Sequence, residues 1–139
     1  MNSIQILPIP GIPEIEPGDD VAAAILDALE TERMELQPGD ILVVTHKIIS
    51  KAEGRFIDAG NDAAYRAAVE QESRSVIRRR GDLIIAQTSH GFICANAGVD
   101  RSNVAGSRAV LLPIDPDRSA HGIRMKIKQE MSFDVPVVI

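Results

Sequence analysis

Residues 82–98, DLIIAQTSHGFICANAG, contain two apolar runs that are separated by the short polar segment SHG. Each run is rich in β-branched, aromatic or aliphatic residues, and Ser, His and Gly between them are typical of a turn. The pattern predicts two strands joined by a turn. The second strand would deliver a polar segment, CANAGVDRSN at residues 94–103, at its end.

Three helices are predicted around these strands. The first covers residues 20–30, with Asp20 as its N-cap after the turn PGDD and apolar residues at helical spacing. The second covers residues 62–80, with Val76 and Ile77 on its inner face, a Glu70–Arg74 pair outside and Gly81 at its end. The third covers residues 115–131, with acidic residues first and lysines late, as the helix dipole favours.

Further strands are predicted at residues 3–9, at Ile41 to Val44, at residues 107–113 and at residues 133–139. The continuous run from Ile41 to Val44 is typical of a strand that is covered on both faces. These elements predict an α+β fold, a mixed sheet with about three helices. Because the final strand ends on VPVVI without a polar cap, turn or tail, we expect a truncated chain, or a half that is completed by something else.

The composition and the motifs of the sequence argue against several classes of function. The 139 residues have a formal net charge of −5, which argues against wrapping a nucleic-acid backbone, because that binding needs clustered Lys and Arg. Cys94 is the only cysteine, so the chain cannot form an internal disulfide. Cys94 is predicted to be a small core residue rather than a nucleophile. No apolar run approaches the length of a membrane helix, and no basic leader is present, which predicts a cytoplasmic protein. The P-loop, Rossmann, Cys-x-x-Cys, His-Glu-x-x-His and nucleophile-elbow motifs are absent from the sequence.

Two polar segments are candidates for chemistry. In VTHKIISKAEGR, residues 44–55, Lys51 follows a strand and could contact a phosphate, although a solvated turn explains the same lysine. In CANAGVDRSN, Asp100 could bind Mg²⁺ together with water and phosphate oxygens, whereas an Asx turn explains the same residues without a ligand. His90 and His121 lie beside glycines, and we expect structural or surface roles for both.

Five blocks in order and in register resemble the coenzyme F-420:L-glutamate ligase family: LPIPGIPEIEPGDD, GDILVVTHKIISKAEGR, ESRSVIRRRGD, HGFICANAGVDRSNV and LLPIDPDRSA. The resemblance spans nearly the whole chain, and it implies that residues 1–139 are the N-terminal portion of the family's domain. It implies a GTP-dependent amide ligase that joins L-glutamate to the tail carboxylate of a precursor of the deazaflavin coenzyme F-420. The carboxylate would first be activated as an acyl phosphate, with release of GDP.

The resemblance also assigns residues. It implies nucleotide contacts at Pro10, Gly11, Ile12, Pro13, His46, Lys47, Lys51 and Asn103, and a divalent metal, Mg²⁺ or Mn²⁺, at Asp100. At His46 and Lys47 this sequence differs from the small hydroxyl residues of the family. A monovalent cation such as K⁺ is a further candidate cofactor, and a homodimer, or pairing with the missing half, is the expected assembly.

In the family, a strand like VPVVI runs directly into a segment whose Asp and Thr supply further metal ligands. That segment is not among these 139 residues, so the resemblance implies that the isolated chain has little or no ligase activity. The alternative is a non-catalytic nucleotide-binding or assembly module. A longer gene product, with the missing half and a fused flavin-type reductase domain, is a further possibility.

Overall fold

The computed structural model describes residues 3–101 and 107–139, and these residues form an α+β fold with several small sheets. The helices described are α1 (Val21–Thr31), α2 (His46–Ala52), α3 (Asp62–Glu72) and α4 (Pro116–Met131). The strands described are β1 (Leu42–Val43), β2 (Phe56–Asp58), β3 (Ser73–Arg80), β4 (Leu83–Thr88), β5 (Ile93–Ala95), β6 (Arg108–Val110) and β7 (Val137–Val138). No helix of this described part is long and apolar enough to cross a membrane.

The chain divides into two compact units. The first unit comprises residues 1–52 and 115–139, and the second comprises residues 53–114. In the first unit, β1 and β7 pair in parallel, with Leu42 opposite Val137. An aliphatic core lies between this pair and three helices, α1, α2 and α4; its fully buried members include Ile15, Ile25, Leu29, Leu42, Val44, Ile49, Ile127 and Val135.

Two turns of the first unit share one geometry, and both contain the sequence Pro-Gly-Asp. Gly18 and Gly39 adopt positive φ angles of 93° and 102°, which glycine tolerates without steric cost. In each turn the aspartate carboxylate accepts a backbone N–H from three residues earlier, at 2.8 Å for both Asp19 and Asp40. The repeated sequence therefore produces the same turn before α1 and before β1.

Asp20 joins the start of α1 to α4. Its carboxylate accepts the backbone N–H of Ala23 at 3.0 Å, as an N-cap does, and it also forms an ion pair with Lys126. The hydrogen bond from Lys126, with a smaller contribution from the Ala23 N–H, lowers the pKa of Asp20 below its ordinary value of 3.8. The predicted N-cap is confirmed.

Asp20 gives a test of this arrangement by pH. A carboxyl whose pKa is lowered on folding adds stability above its ordinary pKa, and that contribution disappears as the pH falls through the lowered value. Asp20→Ala should cost about 1 kcal/mol at pH 7, whereas Asp20→Asn keeps the cap and should lose only about 0.2–1 kcal/mol for an exposed ion pair. Urea unfolding of the wild type and Asp20→Asn should therefore converge as the pH falls below 3.8. A difference that stays constant from pH 7 to pH 3 would contradict the role of the ion pair.

The second unit contains two antiparallel sheets. The pair β2–β6 sets Phe56 opposite Val110, and the three-stranded sheet has the order β3–β4–β5. The predicted pair of strands around the SHG turn is confirmed as β4 and β5, joined by a turn in which the Gly91 N–H donates to the Thr88 carbonyl at 3.0 Å. The buried core here is smaller and made largely of alanine and valine: Ala59, Val69, Ile84, Ala86, Ala97, Val99, Ala109 and Leu111.

The helix predicted over residues 62–80 is wrong in its second half. Helix α3 ends at Glu72, and residues 73–80 form β3, which pairs with β4. Val76 and Ile77 are 41% and 55% exposed rather than buried, and Glu70 pairs with Arg79 at 3.0 Å instead of with Arg74. Pairing with β4 satisfies the backbone of β3, and this tertiary gain outweighs the local helical spacing.

Three other expectations also need correction. Residues 3–9 form no strand, and Ile4 and Ile6 are 93% and 91% exposed, because no described strand pairs with them. The run around β1 is not covered on both faces, since Leu42 is 5% exposed but Val43 is 73% exposed. Helix α2 was not predicted, and with it the described part of the chain has four helices instead of three.

Candidate functional site

Helix α2 carries three of the predicted nucleotide-binding residues. His46 and Lys47 occupy its first turn and are half-buried, and Lys51 lies in its last turn. Ile49, which is 3% exposed, packs into the core of the first unit. Burial of Ile49 fixes the helix to that core, and this fixes where the polar residues of the helix can point.

Lys51 is largely buried and is paired with a carboxylate. Its side chain is 13% exposed, and its Nζ forms an ion pair with the carboxylate of Glu14, which is 72% exposed. A nearly buried ammonium needs such a partner because transfer of an unpaired charge from water is costly. The backbone N–H of Gly18 also donates to the carbonyl of Ala52 at 2.8 Å, so the segment around Glu14 is tied to the end of α2.

The predicted nucleotide-contacting loop, Pro10 to Pro13, directly precedes Glu14. Gly11 has a φ of +77°, and a Cβ built on it would lie 3.4 Å from Oε1 of Glu32. Ile12 packs against the core of the first unit, whereas its two flanking residues, Gly11 and Pro13, are exposed. Through Glu14, the structure brings this loop and Lys51 to neighbouring positions in the first unit.

A run of left-handed residues precedes Asp100 in the second unit. Asn96, Ala97 and Gly98 have φ angles of 48°, 51° and 75°, and such angles are uncommon for residues other than glycine. The Asn96 side-chain oxygen accepts the backbone N–H of Ile84 at 3.1 Å, and Ala97 is 2% exposed. This turn follows β5 directly and leads to Asp100.

Asp100 is held through its backbone. Its N–H donates to the Val110 carbonyl at 2.9 Å, and its carbonyl accepts the Val110 N–H at 2.8 Å. On either side, the Tyr65 hydroxyl donates to the Val99 carbonyl at 3.0 Å, and Arg101 forms an ion pair with Asp62 at 3.0 Å. Asp100 itself is half-buried. The predicted nucleotide contact at Asn103 lies outside the described residues.

The described part of the chain offers few side chains that could bind a metal ion together. Residues 3–101 and 107–139 contain no group of three His, Cys, Asp or Glu side chains that could hold an ion. One carboxylate is compatible with Mg²⁺, which binds through one or two carboxylates together with water and phosphate oxygens. A single carboxylate such as that of Asp100 would be one ligand among several, and the described residues do not form a complete protein cage.

Cys94 is not arranged as a nucleophile. It is half-buried in β5, and burial raises the pKa of its thiol above the ordinary value of 9.0. A raised pKa keeps the thiol protonated, and the thiolate is the reactive form. The prediction of a small core residue is met only in part, since Cys94 is half-buried and does not belong to the buried core of the second unit.

A cleft in the second unit brings together residues that were not selected from the sequence. It has a volume of about 660 Å³, and its charged lining residues are Arg55, Glu72 and Arg74, with His90 beside them. Arg55 lies at the end of the motif SKAEGR, and Glu72 and Arg74 lie in the block ESRSVIRRRGD. The motifs are visible in the sequence, but their meeting point depends on the register of β3 against β4.

Comparison with known proteins gives a consistent result. The family model described as F420-0:Gamma-glutamyl ligase matches residues 11–139. The chain is 36% identical to the coenzyme F420:L-glutamate ligase of Methanothermobacter thermautotrophicus over 98% of its own length and 60% of the relative. It is 35% identical to the Methanopyrus kandleri protein of the same name, over 100% of this chain and 60% of the relative. Against the Archaeoglobus fulgidus protein of that name, the identity is 34% over 98% of this chain and 59% of the relative. The chain thus spans about 60% of the length of the curated relatives it matches.

Proposed function

The chain belongs to the F420-0:gamma-glutamyl ligase family, and we propose on that basis that it is the nucleotide-binding portion of a GTP-dependent ligase. The reaction attaches L-glutamate to the tail carboxylate of a precursor of the deazaflavin coenzyme F420. A carboxylate oxygen takes the γ-phosphoryl group of GTP, which releases GDP and leaves an acyl phosphate. The glutamate amine then attacks the acyl carbon, the C–O bond to phosphate breaks, and an amide and inorganic phosphate result.

The observation that supports this proposal is the position of Lys51. A lysine that is 13% exposed and fixed at the end of α2 beside the loop Pro10 to Pro13 can meet a phosphate oxygen with little loss of side-chain freedom. Its present partner, Glu14, is 72% exposed, so Glu14 can return to water when a phosphate replaces it. Nucleotide binding at this lysine is therefore an exchange of one anion for another.

The other predicted residues take individual roles in the proposal. Residues Pro10 to Pro13 approach the guanosine through their backbone, and His46 and Lys47 contact the nucleotide from the first turn of α2. Asp100 supplies one carboxylate to Mg²⁺ or Mn²⁺, which neutralises phosphate charge during transfer. The expected homodimer and the site residues remain predictions.

Titration calorimetry with GTP and Mg²⁺ tests the nucleotide proposal. Lys51→Ala should weaken GTP binding about tenfold or more, because a charge-assisted hydrogen bond to phosphate is lost. Glu14→Gln should bind GTP at least as tightly as the wild type, since the competing carboxylate is gone. Asp100→Asn should weaken binding only when Mg²⁺ is present.

The matched control is Lys128→Ala, which removes an exposed lysine of α4 in the same unit. Equal GTP affinity for the wild type, Lys51→Ala and Asp100→Asn would show that the proposed site is misplaced. A non-catalytic nucleotide-binding or assembly module is the second candidate. We expect the isolated chain to bind GTP without releasing GDP. GDP release that needs both L-glutamate and the coenzyme precursor, at about 1 s⁻¹ or faster, would overturn that expectation.

A further inference from the structure

The cleft of the second unit is a concave site lined from several separate segments. Arg55 precedes β2, Glu72 ends α3, Arg74 lies on β3, and His90 lies in the turn after β4. Its volume of about 660 Å³ falls within the range of about 300–1,000 Å³ that is usual for small-molecule sites. The cleft is therefore large enough for a small polar ligand.

Arg55 and Glu72 form the fixed part of the lining. The Arg55 Nε–H donates to the Leu112 carbonyl at 3.0 Å, and its Nη2 donates to Oε2 of Glu72 at 3.0 Å. Both side chains are mostly buried, at 25% and 20% exposure. Since a guanidinium carries five N–H donors, three remain beyond these two bonds, and Oε1 of Glu72 retains its acceptor capacity.

Arg74 is the second cation of the cleft. It is exposed on β3, and within residues 3–101 and 107–139 its side chain makes no hydrogen bond or ion pair. In contrast, Arg79 on the same strand is already paired with Glu70 at 3.0 Å. Arg74 thus offers a planar fork of donors that matches a carboxylate in a bidentate arrangement.

His90 lines the cleft and is held there by two contacts. Its Nε2 lies 3.1 Å from the carbonyl oxygen of Ile114 and must carry a proton, because a carbonyl oxygen only accepts. The ring also stacks on Phe92, with centroids 6.1 Å apart. These contacts fix the orientation of the ring, and the charged groups from which the recognition is argued are Arg55, Glu72 and Arg74.

Two guanidiniums around one carboxylate are complementary in charge to a molecule with two carboxylates and one ammonium. We propose that this cleft binds an amino dicarboxylic acid, with one carboxylate on Arg74, the other near Arg55, and the ammonium on Oε1 of Glu72. The inference rests on the proposed function, in which L-glutamate is a substrate of this class. It adds a location and three recognition residues to that function.

Titration of the 139-residue chain with L-glutamate tests the site. Arg74→Ala should weaken L-glutamate binding about tenfold or more, because a bidentate charge-assisted contact is removed. The control is Arg78→Ala, which removes an exposed arginine of the same strand outside the cleft and should change the affinity by less than about twofold. Equal losses for the two variants, or no heat of binding at millimolar L-glutamate, would overturn the proposal.

Glutarate, which has both carboxylates but no ammonium, tests Glu72. The wild type should prefer L-glutamate over glutarate, and Glu72→Gln should abolish that preference while Arg55 and Arg74 still attract both ligands. A wild type that binds the two ligands equally would rule out the role of Glu72. Because Glu72 is partly buried, circular dichroism of each variant checks that it folds.

These measurements are independent of the nucleotide titration. Binding of GTP without binding of L-glutamate would remove the cleft proposal and leave the nucleotide proposal intact. Binding of L-glutamate that depends on Arg74, without binding of GTP, would do the reverse.

Discussion

Gly98→Ala should destabilise the second unit by about 2–5 kcal/mol, from about 1–2 kcal/mol for a left-handed L-residue and about 1–3 kcal/mol for overpacking. Gly98 has a φ of +75°, and a Cβ built on it would lie 2.6–2.9 Å from three side-chain carbons of Leu112. Contacts below 3.0 Å force either the turn or Leu112 to move. Asp100, two residues later, would move with the turn. Urea unfolding followed by Tyr65 fluorescence measures this effect. Tyr65 is the only tyrosine of the sequence, which contains no tryptophan, so the signal comes from one residue. The Tyr65 hydroxyl donates to the Val99 carbonyl, which places the probe beside the turn.

Gly81→Ala is the matched control for this prediction. Gly81 has a φ of +58°, but a Cβ there would meet no atom within 4 Å, so only the conformational cost of about 1–2 kcal/mol applies. In the background of Gly98→Ala, the further change Leu112→Ala should recover part of the loss by removing the clashing carbons. If Gly98→Ala and Gly81→Ala cost the same, close packing against Leu112 is not the cause.

Ile127→Ala should destabilise the first unit by about 2–5 kcal/mol. Ile127 is 0% exposed on α4 and belongs to the same buried cluster as Ile25, Leu29 and Val135. Removing three carbon atoms there loses the transfer free energy of the side chain and leaves a cavity that its neighbours fill only in part. Urea unfolding followed by circular dichroism at a helical wavelength measures the change.

Met125→Ala on the same helix is the control, because Met125 is 42% exposed and alanine is at least as good a helix former as methionine. It should change the free energy of unfolding by about 0.5 kcal/mol or less. A loss for Met125→Ala as large as that for Ile127→Ala would show that the helix, rather than the buried contact, carries the effect.

The elements that could be predicted from the sequence are those whose signals are local. Asp20 caps α1 through a carboxylate three residues from the N–H it accepts, and α4 begins after Asp115 in the same way. The SHG turn between β4 and β5 is also local. By contrast, residues 73–80 have apolar residues at helical spacing but form a strand, because β4 pairs with them. This pairing could not be predicted from residues 73–80 alone, since the partner strand lies elsewhere in the sequence.

In the candidate site too, residues within local motifs could be predicted, whereas contacts between distant parts of the sequence could not. Lys51 and Asp100 stand within recognisable motifs, so the resemblance to a family selects both from the order of residues alone. The Glu14 partner of Lys51 could not be predicted, because 37 residues separate the two in sequence. The cleft was missed for the same reason, since Arg55 meets Glu72 only after α3 and β3 are in place.

Strand β3 has a consequence for how the chain behaves at high concentration. Within the described part of the chain it pairs on one side only, with β4, and it exposes Val76 and Ile77. Such an edge is a template for pairing with other chains. Arg79 is paired with Glu70, but its neighbours Arg78 and Arg80 are exposed at the end of the strand. Their like charges repel a second copy that approaches the same edge, and dissolved salt screens this repulsion. Pairing of two chains at this edge thus depends on ionic strength through Arg78 and Arg80.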